Sequence, residues 1–323
     1  MKKIKIDFVD FWKVDKNNNI ITNTLKEKYE VEISNEPDYI FCSLFGNEHF
    51  KYKKAIKILV LGENIAPNFD LYDYAIGFYN IKYDDRYLKY NILLDEEIYN
   101  IIKKRSKINT VKDEFCAFVY RSNYLNSKRI EILDKLNEYK RVDCGGNLKN
   151  NIGKSIGNEK IDKINFQKKY KFVIACENQQ FPEYNTEKLF EAFASNAIPI
   201  YSGDPKIGEI YNEKAFINCD NFKNLDEMLK LVSELDNDNE KYLNMLNQPV
   251  FKEDDYYEKQ KKQLKEFLYN IFEKDIDGAK KVHFNKNYYI YKFYKKYLFV
   301  NTIQKYYLRI IKSKIGKKFF KKV

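Results

Sequence analysis

The stretch from Tyr170 to Pro205, YKFVIACENQQFPEYNTEKLFEAFASNAIPIYSGDP, limits the possible folds more than any other part of the chain. KFVIACE is an apolar run that reads as a strand. TEKLFEAFASN follows as a short amphipathic helix, and AIPIYSG returns to a strand closed by Gly-Asp-Pro. The same alternation runs through the first half. KKIKIDFVDF and EPDYIFCS read as strands, KAIKILVLGEN as a third that stops at Gly62, and DYAIGF as a fourth with Asp73 and Tyr74 at its start. After the lysine-rich stretch 103–107, EFCAFVYRS reads as a strand and NSKRIEILDKLNEY as a helix. Strand AFINC and helix LDEMLKLVSEL come later. Strands alternating with helices predict an α/β fold with largely parallel sheets, one layer in each half.

The segment VDCGGNLKNNIGKSIGN (142–158) is rich in Gly and Asn and is expected to be a linker or mobile loop. At 323 residues the chain has room for two ordinary domains. Boundaries are expected at 1–150 and 151–285, with 286–323 as a separate tail. No internal repeat is evident.

The formal charge of +11 invites a nucleic-acid reading until it is located. Fourteen Lys and Arg and no Asp or Glu lie from Gly278 onward, so the first 277 residues carry −3. A nucleic-acid enzyme lines its groove with such charge, and here the body is close to neutral. Five scattered cysteines without C-x-x-C spacing argue against a disulfide framework or a structural zinc, and fit a reducing cytoplasm. The first residues, MKKIKIDFVDFWKVD, lack the apolar core of a signal peptide, and no apolar run approaches the roughly 20 residues of a membrane span. Neither His49 nor His283 sits in a context that pairs it with a nucleophile or a metal ligand, so catalysis has to rest on carboxylates, lysines, arginines and hydroxyls.

In folds of this class the reactive groups gather at the carboxyl ends of strands and the amino ends of helices. Glu177 and Asn178 follow a strand, and Asn185 or Thr186 can cap a helix whose first turn carries Glu187 and Lys188. A helix amino terminus suits a phosphate. Lys188 would add a full charge where a diphosphate leaves, and Glu187 could hold two vicinal ribose hydroxyls. Spacing alone favours the plainer alternative of an ordinary N-cap followed by solvated charges.

Three blocks resemble glycosyltransferase family 10, the α-1,3/α-1,4-fucosyltransferases. ENQQFPEYNTEKLFEAFASNAIPIYSGDPKIGEIYNEKAFINCDNF is similar to the family's donor-binding signature, LGENIAPNFDLYDYAIGF (61–78) to its acceptor-side motif, and the helix around Arg129 to a third element. The similarity to bacterial Lewis-antigen-type members runs from about residue 38 to about residue 275. It implies a GT-B architecture, two Rossmann-like domains facing across a cleft, with the acceptor side in 1–150 and the GDP-sugar side in 151–285. It also implies inverting transfer of fucose from GDP-fucose to the N-acetylglucosamine of an N-acetyllactosamine-type glycan, such as a lipopolysaccharide O-chain. No metal or other cofactor is expected.

Residue by residue, the resemblance makes Glu63 the general base, Arg129 and Lys188 the diphosphate-binding pair and Glu187 the ribose-binding carboxylate. Asn178 and Tyr184 fall at donor-site positions, and Glu177 at the glutamate near the fucose. Asn185 replaces a small or β-branched apolar residue, QQFPE replaces a loop containing Gly or Ser, and the terminal heptads of some bacterial members are absent.

The chemistry of the residues agrees. An attacking hydroxyl needs a base, and with histidine scarce a carboxylate fits. Glu63 follows the strand KILVLG directly, although GEN alone reads as a surface turn. Arg, Lys and a helix dipole can neutralise a departing diphosphate without a metal, and no D-x-D-like motif stands where a donor site needs one. Two other classes compete with this reading. One is a non-catalytic GDP-sugar- or glycan-binding protein. The other is a nucleic-acid binder using the Tyr- and Lys-rich tail, which the near-neutral body disfavours. In the tail, Ile303, Tyr307, Ile310, Ile311 and Ile315 fall at helical spacing between Lys305, Arg309 and Lys312. A basic amphipathic helix over 303–323 predicts attachment to an anionic membrane, on the cytoplasmic face of the inner membrane.

Overall fold

The computed structural model describes residues 1–123, 128–154, 156–157, 159–282, 296 and 300. The predicted tail helix over 303–323 and His283 lie outside the described residues. The first half is built from β1 (Lys2–Val9), α1 (Ile20–Lys26), β2 (Tyr29–Ile33), β3 (Tyr39–Cys42), β4 (Ile56–Val60), β5 (Tyr74–Gly77) and β6 (Tyr87–Lys89). These six strands form one sheet in the order β2-β1-β3-β4-β5-β6, and β1 runs parallel to β2 and β3, as does β3 to β4.

The second half follows with α2 (Glu96–Lys103), β7 (Glu114–Phe118), α3 (Lys128–Asn137), β8 (Val142–Cys144), α4 (Lys160–Gln167), β9 (Tyr170–Cys176), α5 (Glu187–Ala194), β10 (Ile198–Ser202) and β11 (Ile217–Asn218). Helices α6 (Leu225–Asn237), α7 (Asn239–Leu246) and α8 (Tyr256–Glu273) complete it. Its five-stranded sheet has the order β11-β10-β9-β7-β8, with every pairing parallel.

Counted from its own first strand, the first sheet runs 2-1-3-4-5-6 and the second 2-1-3-4-5, the doubly wound order whose binding crevice lies outside the strand carboxyl ends between the first and third strands. In the second sheet that crevice falls between β7 and β9. Phe172, Ile174 and Cys176 of β9 enter a core with Ile132, Leu133 and Val232, while Val173 and Ala175 enter the opposite core with Phe190, Phe193 and Tyr211. Both faces are therefore apolar, which is why the strand reads as an unbroken hydrophobic run.

The segment expected as a linker contains β8, which pairs with β7 in register Cys116↔Val142 to Phe118↔Cys144. Three residues are too few to show a strand pattern against the glycines beside them. The chain forms two compact units, one of Met1–Leu59, Pro67–Ala75 and the described part of Tyr269–Val323, the other of Val60–Ala66 and Ile76–Leu268. The sequence-based boundary at residue 150 falls inside the second.

In the first unit Phe272 stacks on Tyr39 with ring centroids 4.2 Å apart, and its carbonyl accepts Lys2 Nζ at 2.8 Å. Asp73 is fully buried. It accepts the backbone N–H groups of Lys57, Lys281 and Val282 at 2.8, 2.8 and 2.7 Å and the Lys280 ammonium at 3.0 Å. One carboxylate thus fastens the root of the tail to the strand that opens the acceptor-side motif. His49 is buried here too, with Nδ1 2.5 Å from Asp10 and Nε2 3.2 Å from the Tyr72 hydroxyl. All five cysteines are buried and free.

Candidate active site

At the carboxyl ends of β7, β8 and β9 lies a cavity of about 460 Å³. Arg129, Asn178, Glu187 and Lys188 line it, so four of the seven residues singled out in the sequence converge on one space. Arg129, on α3, is 2% exposed. Its guanidinium lies 4.3 Å from the centroid of the Tyr120 ring. The NH1 group donates to Ser122 O at 3.0 Å, and NH2 to Glu177 O at 3.0 Å and Asn178 Oδ1 at 2.9 Å. Nε is buried and has no hydrogen-bond partner among the described residues. A buried, permanently charged group with an unused donor is poised for an anion.

Glu177 directly follows β9 and is fully buried behind the cavity. Oε1 accepts the Thr186 N–H at 2.7 Å, and Oε2 accepts the Thr186 hydroxyl at 2.6 Å and lies 3.3 Å from Lys188 Nζ. Thr186 is the N-cap of α5, but its hydroxyl makes no capping bond to the helix backbone, since it donates to the carboxylate and accepts Lys188 Nζ at 2.8 Å. Burial raises the Glu177 carboxyl above its ordinary value, the Glu187 charge adds to the rise, and Lys188 opposes it. Burial works against the Lys188 ammonium as well, but Glu177 and Glu187 outweigh it and lift the group above its ordinary value. Lys188 therefore stays charged. Glu187 also feels burial, which the charges of Lys188 and Lys163 overcome to leave its carboxyl at about 2.

Glu63 and Tyr184 do not line this cavity. They meet each other, with the Tyr184 hydroxyl donating to Glu63 Oε2 at 3.3 Å and the ring packed edge-on against Phe78. Asn64 Nδ2 donates to Gln179 Oε1 at 2.7 Å. GEN is thus tied to the loop 177–186 and is not a free surface turn.

That loop carries both departures from the family pattern, and Asp204 of Gly-Asp-Pro fixes it. Asp204 Oδ1 accepts the Glu183 N–H at 2.6 Å, and Oδ2 accepts Asn185 Nδ2 at 3.0 Å. Glu183 takes the left-handed backbone (φ 68°) that this path requires. Asn185 is buried, and its Oδ1 accepts Asn91 Nδ2 at 3.3 Å while its Nδ2 donates to Asp204, so a polar side chain is satisfied where the family pattern has an apolar one.

Tyr120, Lys163, Glu191 and the Gly145-Gly146 pair also line the cavity and were not picked out from sequence. A Cβ on Gly146 would stand 2.2 Å from the Tyr120 carbonyl oxygen, so only glycine permits that approach. Glu191 stands one helical turn after Glu187, a spacing that could have marked it.

Two doubly wound α/β sheets with an anion-ready cavity at a switch point define a glycosyltransferase of the GT-B class. The structure matches a crystal structure of alpha1,3-fucosyltransferase with GDP at a TM-score of 0.70 and 27% identity, covering 85% of this chain and 91% of that one. A crystal structure of alpha1,3-fucosyltransferase with GDP-fucose matches at a TM-score of 0.67 and 26% identity, covering 83% and 91%. Residues 6–95 match the family model of the alpha-(1,3)-fucosyltransferase FucT N-terminal domain, and residues 109–268 that of the C-terminal part of glycosyltransferase family 10 (fucosyltransferase). The chain belongs to glycosyltransferase family 10. It is 30% identical over 288 residues to the alpha-(1,3)-fucosyltransferase FucT of Helicobacter pylori, spanning 75% of this chain and 59% of that protein's length.

Proposed function

We propose that the protein is an inverting fucosyltransferase that moves L-fucose from GDP-fucose to the N-acetylglucosamine of an N-acetyllactosamine-type glycan. One observation carries the donor assignment. The Arg129 guanidinium, the Lys188 ammonium and the Glu187 carboxylate belong to residues that line one cavity at the amino end of α5, a set suited to a diphosphate and a ribose diol. Transfer is a single displacement. The acceptor hydroxyl loses its proton to Glu63 as its oxygen bonds to the anomeric carbon, and GDP departs from the opposite face. Arg129, Lys188 and the first-turn N–H groups of α5 take up the charge that develops on the diphosphate. Glu177 acts behind them, holding Thr186 and Lys188 in place.

Incubation with GDP-fucose and a panel of type 1 and type 2 disaccharide acceptors, read by mass spectrometry, tests the proposal. A mass gain of one deoxyhexose on at least one acceptor is expected. Release of free fucose alone, or transfer only from another GDP-sugar, would overturn it.

We further propose that no divalent metal is required. Activity should survive EDTA largely intact, and loss with EDTA restored by manganese would contradict this. The charge of the tail supports a third proposal, attachment to an anionic leaflet on the cytoplasmic side, close to lipid-linked acceptors such as a lipopolysaccharide O-chain. Each Lys or Arg near such a surface contributes on the order of 1 kcal/mol. Deletion of 303–323 should leave turnover on a soluble acceptor mostly intact and abolish sedimentation with anionic vesicles. Failure of the full chain to sediment at low salt counts against the attachment.

A further inference from the structure

Besides Glu187, two carboxylates that the transfer chemistry does not use line the donor cavity, Glu159 before α4 and Glu191 within α5, and of these only Glu191 shares a helix face with Glu187. Glu191 is 4% exposed and lines the cavity one turn of α5 beyond Glu187. Its Oε2 pairs with Lys163 Nζ at 2.8 Å, while Oε1 has no hydrogen-bond partner among the described residues. Four residues of α-helix advance about 6 Å, so the two carboxylates face the same space one step apart. If Glu187 holds the ribose diol, as the proposed function has it, the next group along a nucleoside is the base.

An ionised carboxylate only accepts hydrogen bonds, with about four lone-pair sites over its two oxygens, so Lys163 leaves Glu191 room for two more donors. Guanine alone among the common bases presents two adjacent donors, N1–H and the N2 amino group, on its Watson–Crick edge. Adenine places the N1 lone pair there, and uracil flanks its single N–H with carbonyl oxygens. Either would set lone pairs against a buried carboxylate.

We propose that Glu191 reads the N1–H and N2 amino edge of guanine and is the residue that makes the donor site specific for guanosine diphosphates. Lys163 acts as a positioning residue, holding one carboxylate oxygen so that the other points into the cavity. Selectivity then comes from the penalty that a wrong base incurs by leaving buried polar groups unpaired.

Calorimetry on the full chain with GDP, inosine diphosphate and xanthosine diphosphate tests this. Inosine lacks the N2 amine, and xanthine carries an oxygen in its place. The unaltered protein should bind GDP at least about tenfold more tightly than either analogue, the loss of one hydrogen bond to a charged group. In Glu191→Ala the GDP-over-inosine preference should collapse to about twofold or less. In Glu191→Gln the amide can donate to the xanthine oxygen, so binding of xanthosine diphosphate should improve relative to GDP, a change that a merely structural role would not produce. A thermal melt of each variant checks folding. Equal affinity of the unaltered protein for GDP and inosine diphosphate would overturn the inference while leaving the donor site standing. An undiminished GDP preference in both variants would overturn it as well. Absence of GDP binding to the unaltered protein would remove the proposed function itself.

Discussion

Glu63→Gln should bind GDP as the unaltered protein does and lose about a hundredfold to ten-thousandfold in turnover, the usual cost of removing a positioned base. The substitution is nearly isosteric, and the amide oxygen can still accept the Tyr184 hydroxyl, which now stands 3.3 Å from the carboxylate. The loop 177–186 should therefore keep its path, and the measured loss should belong to the proton transfer. GDP titration by calorimetry alongside initial rates separates the two. Retention of more than half the activity would take the base away from Glu63.

Replacing either member of the proposed diphosphate pair should weaken GDP binding and slow transfer, but through different physics. Arg129→Ala removes a cavity-lining guanidinium that satisfies Ser122 O, Glu177 O and Asn178 Oδ1. Each charge-assisted hydrogen bond lost to the diphosphate is worth about 1.5–3 kcal/mol, roughly tenfold to a hundredfold in Kd. Lys188→Ala takes away the ammonium beside Glu177, a carboxylate with no exposure to solvent. Stranding a buried charge typically costs about 3–5 kcal/mol, so Tm should fall together with affinity. The double variant Lys188→Met/Glu177→Gln should recover Tm and not GDP binding. Unchanged GDP affinity in both single variants would place the phosphate site elsewhere.

Much of this architecture could be read in the chain because parallel strands covered on both faces carry their burial openly. β1, β3, β4, β5, β7, β9 and β10 all announce themselves as short apolar runs, and Thr186-Glu187-Lys188 marks the start of α5. Signals were weaker where polar residues hide the pattern. In α8 the apolar set Tyr257, Leu264, Leu268, Ile271 and Phe272 is diluted by lysines, and the sequence reading assigns no element there. Helices α1 and α2 are short, and their clearest signals are single caps at Asn19 and Asp95. What sequence could not supply was partnership. That Glu177 would turn inward to hold Thr186 and Lys188, that Glu63 would meet Tyr184, and that Asn185 would be matched by Asp204 and Asn91 depend on contacts between elements far apart in the chain.

The Asp73 clamp and the stacking of Phe272 on Tyr39 have a bearing on biosynthesis. The first unit is assembled from both ends of the chain, while the second occupies almost all of one stretch, from Ile76 to Leu268. During translation the second unit has all its residues outside the ribosome before Phe272, Lys281 and Val282 emerge to complete the first. Domains more often finish folding in the order they are made. Here the amino-terminal sheet has to wait with Asp73 lacking its Lys280, Lys281 and Val282 donors and with Tyr39 uncovered by Phe272, a period in which its apolar strands are open to other chains, until residues 272–282 arrive to close it.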